Sequence, residues 1–160
     1  MKIQGPKGLV DFVELVDVIQ SVQDGIRQHI RTKIRQHKLD ITFEMLEVLA
    51  VVKYNPGINQ QEIAKAVRKN KASLTSLIDN LATRGLVRRE PDPQDRRNNI
   101  IVLTKEGAIY GKRLLPMVAD LYDHFQTGLA CIDIQKITKT LRQLQTNIEN
   151  GATKKKAAKK

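Results

Sequence analysis

The side chains of this chain best suited to chemistry lie between Lys69 and Arg97, and what they suit is recognition, not bond breaking. From Lys71 to Arg84 the run KASLTSLIDNLATR sets Leu74, Leu77, Ile78 and Leu81 at i, i+3, i+4 and i+7, the spacing of one buried helical face. Ala72, Ser73, Thr75, Ser76, Asp79, Asn80 and Thr83 are left pointing outward. A solvent-facing helix ordinarily carries Glu and Lys. Short side chains, hydroxyls and an amide instead permit close approach to base edges in a nucleic-acid groove, where bulk obstructs and hydroxyls donate or accept. The bland alternative is a polar helix built from poor helix formers, and the segment that follows decides between them. It reads Leu86-Val87-Arg88-Arg89-Glu90, then the turn PDPQDRRNN, then Ile100-Ile101-Val102-Leu103. Two short strands around an arginine-bearing turn, directly after such a helix, follow the plan of a winged helix. The helix would lie in one groove, with the turn reaching the next groove or the flanking phosphates. No nucleophile with a nearby base, no Gly-rich phosphate loop and no paired carboxylates in a recognisable frame point to an enzyme.

Positioning these residues requires defined helix ends, and the sequence supplies them. Thr42 reads as the N-cap of a helix to about Tyr54, rich in apolar residues over much of its girth (Met45, Leu46, Val48, Leu49, Val51, Val52) and stopped by Asn55-Pro56-Gly57. Asn59-Gln60-Gln61-Glu62 has capping-box spacing for a short third helix with Ile63, Ala64 and Val67 inward. Asn70 caps the next helix, and together they make a helix-turn-helix. Gly85 is placed as a C′ glycine and Thr104 as the cap of the following helix.

Long helices flank this unit. From Gly8 to about Lys38, Leu9, Phe12, Val13, Val16, Ile19, Val22, Ile26, Ile30 and Ile34 form one apolar stripe; its basic end (Arg27, Arg31, Lys33, Arg35, Lys38) suits a helix dipole. A fifth helix is expected over Lys105 to Gln126, kinked at Pro116, with Tyr110, Leu114, Met117, Val118, Leu121, Tyr122 and Phe125 on its apolar face. A last helix, Asp133 to Asn150, steps Ile134, Ile137, Leu141, Leu144 and Ile148 by three and four, the spacing of a coiled-coil seam. The expected organisation is a flexible lead-in at 1–7, one domain at 8–150 and a disordered basic tail at 151–160.

Of the formal net charge of +11, the lysines at 154–156, 159 and 160 carry +5, so the remainder is itself basic and suits an acidic partner. Asp11 and Glu14 interrupt any signal-peptide core, and no run of about 18 apolar residues suggests a membrane span. The single cysteine, Cys131, is expected to be a small core residue and fits a reducing compartment. His29, His37 and His124 are scattered, so no metal and no cofactor is expected.

These residues carry a resemblance to the MarR family of transcriptional regulators. Asp95-Arg96-Arg97, five residues, then Leu103-Thr104 is similar to the family's wing signature, and LIDNLATRGLVRREPDPQDRR with LTKEG resembles its surroundings. The resemblance implies a mainly α fold with a small β-hairpin wing. Residues 42–104 would form a DNA-binding lobe and helices 8–38 and 105–150 would pair two copies, through Phe12, Val16, Ile19, Ile134, Ile137, Leu141, Leu144 and Ile148. It implies a cytoplasmic, nucleoid-associated homodimer, a repressor on a palindromic operator, released by a small-molecule effector. Helix 71–84 would enter the major groove and wing 91–98 the minor groove. By position, Asn70, Lys71, Ser73, Thr75, Ser76 and Asn80 would contact bases and Arg97 the minor groove. Asp95 would orient an arginine or brace the wing, and Arg88, Arg89 and Arg96 would contact phosphates, with a solvated strand face the alternative for Arg88 and Arg89. Lys69 departs from the family, standing where an apolar residue is common; it would reach a phosphate or loosen the turn. The alternative from another class is an architectural, nonspecific DNA-binding protein that relies on the Lys-rich tail.

Overall fold

The computed structural model describes residues 6–93 and 98–157. Among the described residues, six helices and one hairpin follow in the order α1 (Lys7–Gln36), α2 (Phe43–Tyr54), α3 (Gln60–Ala66), α4 (Lys71–Thr83), β1 (Val87–Pro91), β2 (Asn99–Leu103), α5 (Lys105–Phe125) and α6 (Cys131–Ala157). The chain divides into two compact units, Met1–Ala119 and Asp120–Lys160, with the division inside α5.

In the first unit, α2 is the central helix. Thr42 Oγ1 accepts the Met45 N–H at 3.2 Å, and Met45, Val48, Leu49 and Val52 are buried. They join Ile63 of α3, Leu74, Ile78 and Leu81 of α4, Leu86, Val87 and Ile101 of the hairpin, and Leu114 and Met117 of α5 in one aliphatic core. The periodicity of α4 is therefore realised as predicted: its apolar residues face this core and its short polar residues face away.

The ends of α3 and α4 are chemically fixed. Asn59 Oδ1 accepts the Glu62 N–H at 2.9 Å while Glu62 Oε2 accepts the Asn59 N–H at 3.1 Å, a complete capping box. Asn70 Oδ1 accepts the Ser73 N–H at 2.8 Å. Past α4, Gly85 turns the chain at φ 68° and its N–H reaches Ala82 O at 2.8 Å, while the Leu86 N–H reaches Leu81 O at 2.9 Å. That pair of bonds is a Schellman stop, and it launches β1 directly off the helix.

The hairpin is antiparallel, with Val87 opposite Leu103 and Pro91 opposite Asn99. Pro91 extends the strand one residue beyond expectation; it sits at the end of the ladder, where a missing donor matters little. A bridge between Asn59 and Ile100, with the Ile101 N–H donating to Ile58 O at 3.0 Å, ties β2 to the α2–α3 turn. At its other end, Thr104 Oγ1 donates to Gly85 O at 2.6 Å and accepts the Gly107 N–H at 2.9 Å. One hydroxyl thus joins the stop of α4 to the start of α5.

Two expectations are corrected in the second unit. Cys131 is exposed at the first position of α6, not packed in a core; the first turn of a helix presents some positions to water whatever their hydrophobicity. And α6 runs on to Ala157, past the boundary expected at Asn150. Gly151 costs only about 1 kcal/mol in a helix, and the alanines and lysines after it are good helix formers at the end where positive charge suits the dipole. Among the described residues, no helix is long and apolar enough to cross a membrane.

Candidate nucleic-acid interface

The outward face of α4 is an open concavity of about 700 Å³ lined by Lys71, Ala72, Thr75, Ser76, Asp79, Asn80 and Thr83. The structure thus brings Lys71, Thr75, Ser76 and Asn80 onto one surface, with Ser73 exposed on the same helix and Asn70 spent at its cap. The N-terminal end of α4 opens with unpaired backbone donors beside Lys71, and both favour an anion.

Three of the polar side chains on this face, Thr75, Asp79 and Asn80, already have partners. Thr75 Oγ1 donates to Lys71 O at 2.9 Å and accepts from Gln60 Nε2 at 2.8 Å, which ties α3 to α4. Asn80 Nδ2 donates to Ser76 O at 2.8 Å. Asp79 accepts from Arg89 Nη2 at 2.6 Å, holding that arginine of β1 against the helix. Arg88 is exposed on the strand and pairs with Glu90, its Nε donating to Oε1 at 2.6 Å. Arg89 therefore lies beside the concavity, while Arg88 and Glu90, on alternate positions of the strand, take its other face; each arginine is held by a carboxylate that a phosphate would have to replace.

Lys69 is half-buried, and its charge acts on Glu47 of α2. Burial pushes the Glu47 carboxyl above its usual range, with Lys69 and Arg27 opposing that rise. Asp95, Arg96 and Arg97 lie outside the described residues. On either side of them the Asp92 N–H donates to Asn98 O at 3.0 Å, which closes the base of the wing.

Sequence reasoning missed two residues that shape this surface. Gln60 was read only as part of a cap. Arg84 at the end of α4 donates through Nε to Asp40 O at 2.9 Å and through Nη2 to Asp40 Oδ1 at 3.2 Å, and through Nη1 to Asn80 O at 3.1 Å. It thereby fastens the helix to the α1–α2 turn. Gln60 and Arg84 bind partners 15 and 44 residues away, so no local pattern marks them.

The model of the MarR family matches residues 41–98, from the end of the α1–α2 turn into the wing. The chain is 40% identical over 73 residues to the transcriptional regulator HosA of Escherichia coli O111:H-, covering 45% of this chain and 54% of that one. The chain thus spans about half the length of that relative. With HosA of Escherichia coli O157:H7 it shares 29% identity over 110 residues, 68% of this chain and 82% of the relative. Over these residues the chain is similar to MarR-family regulators. Its fold is shared with a solved relative: a mutant MarR from E. coli complexed with operator DNA superposes with a TM-score of 0.72 at 24% identity, covering 84% of this chain and 95% of that one. The matched residues hold the capped helices, α4 and β1, the elements that build the concavity.

Proposed function

We propose that this chain is a MarR-family regulator of transcription that binds double-stranded DNA sequence-specifically, a repressor acting as a homodimer on a palindromic operator. The observation that carries the reading is the outward face of α4: a capped helix lined with short side chains around an open concavity, with Lys71 at its start and Arg89 beside it. A groove-reading helix needs this combination, because base edges demand short side chains while phosphates demand flanking cations. α4 enters the major groove and residues 91–98 reach the adjacent minor groove. Asn70, Lys71, Ser73, Thr75, Ser76 and Asn80 carry the helix contacts, and Arg88, Asp95, Arg96 and Arg97 those of the strand and wing. Lys69 steadies the turn through Glu47 as much as it meets a phosphate. The relatives are named as transcriptional regulators, and that supports a non-enzymatic role; the proposal extends to a cytoplasmic protein whose DNA affinity a small-molecule effector lowers. The family match falls on residues 41–98 and leaves the lysine-rich end outside it, which favours sequence-specific binding over nonspecific binding through that end.

The test begins with selection of bound duplexes from random DNA, which is expected to return an inverted repeat. On that duplex, Arg97→Ala is expected to weaken binding by about 1–3 kcal/mol, roughly fivefold to 150-fold, with the chain still folded. Fluorescence anisotropy across a salt series measures it. Unchanged affinity and salt dependence would remove the wing from the interface; no preferred sequence at all would remove the reading.

A further inference from the structure

We infer that α4 reads its site chiefly through methyl groups, with Ala72 and Thr75 forming an apolar spot that receives the C5-methyl of a thymine in each half-site. The inference rests on the reading of the chain as a DNA-binding regulator and deepens it to a base class. Its ground is the state of the polar groups around the concavity. The Thr75 hydroxyl is doubly committed, donating to Lys71 O and accepting from Gln60. With that oxygen bound inside the protein, Thr75 has its methyl left to offer the concavity it lines. The amide of Asn80, the group that would otherwise read adenine, donates to Ser76 O and accepts from Arg84 Nη1 at 3.4 Å. Asp79, the group that would otherwise accept from a cytosine amine, is ion-paired with Arg89. Ala72, one turn before Thr75 on the same lining, adds a second methyl. Among the four bases only thymine presents an apolar group in the major groove, so a spot made of methyls beside the committed Asp79 and Asn80 selects thymine.

The experiment uses the full chain and the best duplex returned by random selection, with each thymine of the half-site replaced in turn by deoxyuridine. That change removes one methyl and leaves every hydrogen-bonding edge intact. At one symmetric position the affinity is expected to fall about threefold to fivefold per half-site, the worth of one buried methyl. Thr75→Ser, which keeps the hydroxyl and its two bonds but deletes the methyl, is expected to remove most of that thymine-to-uracil ratio. Thr75→Val, which keeps a methyl and surrenders both hydrogen bonds, is expected to retain it. A preferred duplex that binds equally well with uracil at every position overturns the inference while leaving the DNA-binding reading intact. A ratio that survives Thr75→Ser and vanishes in Thr75→Val assigns the reading to the hydroxyl and overturns it too. Failure to select any preferred duplex overturns both.

Discussion

Two glycines of α5 show how opposite the demands on one residue type can be within a single helix. A Cβ built on Gly107 would lie 1.9 Å from Leu86 O, a backbone atom that cannot swing aside and that also accepts the Thr104 N–H at 3.2 Å. Glycine is required there because the first turn of α5 rests directly on the chain leaving α4. A Cβ on Gly111 meets nothing within 4 Å, so that glycine only weakens the helix. Gly107→Ala is therefore expected to destabilise the fold by about 2–3 kcal/mol through overpacking, and Gly111→Ala to stabilise it by roughly 1 kcal/mol through helix propensity. Chemical denaturation of both variants checks this, and shifts of the same sign would show that the close contact at Leu86 is not what holds position 107. The sequence alone marks neither difference, since both residues sit in one LTKEGAIYG run; only the long-range approach of Leu86 separates them.

At the scale of elements, α2 bears the conflict between burial and charge that follows from placing a carboxylate on the central helix. Burial raises the Glu47 pKa above its ordinary 4.5, and Lys69 and Arg27 only partly offset it. A carboxyl whose folded pKa is raised contributes stability below its unfolded pKa and loses that contribution as pH rises through the folded value. Glu47→Gln is expected to make the protein more stable than wild type at pH 7, with the difference shrinking as the pH falls below 4.5. Denaturation midpoints at the two pH values test it; a variant less stable at pH 7 would mean that the attraction of Lys69 outweighs burial. The same helices show what is legible in sequence. Caps were legible because their partners are three residues apart: Thr42, Asn59, Asn70 and Thr104 each bond the N–H three positions on. The apolar face of α4 was legible for the same reason. What escaped was set by tertiary contact: the strand bridge from Asn59 to Ile100, the Gln60 bond to Thr75, and the Arg84 clasp on Asp40. The candidate site was therefore readable as a list of outward residues. Which of their polar groups were already occupied was not.

For the whole molecule, the unresolved demand is apolar surface that a single chain leaves in water. Along α1, Leu9, Phe12, Leu15, Val18 and Val22 are 40–54% exposed, while Val16 and Ile19 are half-buried. The stripe read from sequence is thus broader than drawn, since Leu15 and Val18 join it. On α6, Ile137 and Ile148 are exposed at 52% and 63%, with Ile134, Leu141 and Leu144 half-buried. Contiguous apolar faces of this kind mark association surfaces, and the homodimer proposed above covers them with a second copy. A palindromic operator needs that pairing, because two α4 helices must meet half-sites about one helical turn apart. Phe12→Glu sets a charge within the α1 face at its one aromatic and is expected to weaken self-association by at least about 2 kcal/mol, roughly thirtyfold, as for a buried aromatic anchor. Phe12→Leu is expected to leave association nearly intact. Sedimentation equilibrium over a concentration series gives the dissociation constants, and anisotropy on the selected duplex should show operator affinity falling in the same variant while binding to a single half-site holds. A wild-type chain that sediments as a monomer, or a Phe12→Glu chain that associates as tightly as wild type, would mean that the α1 face serves some other partner.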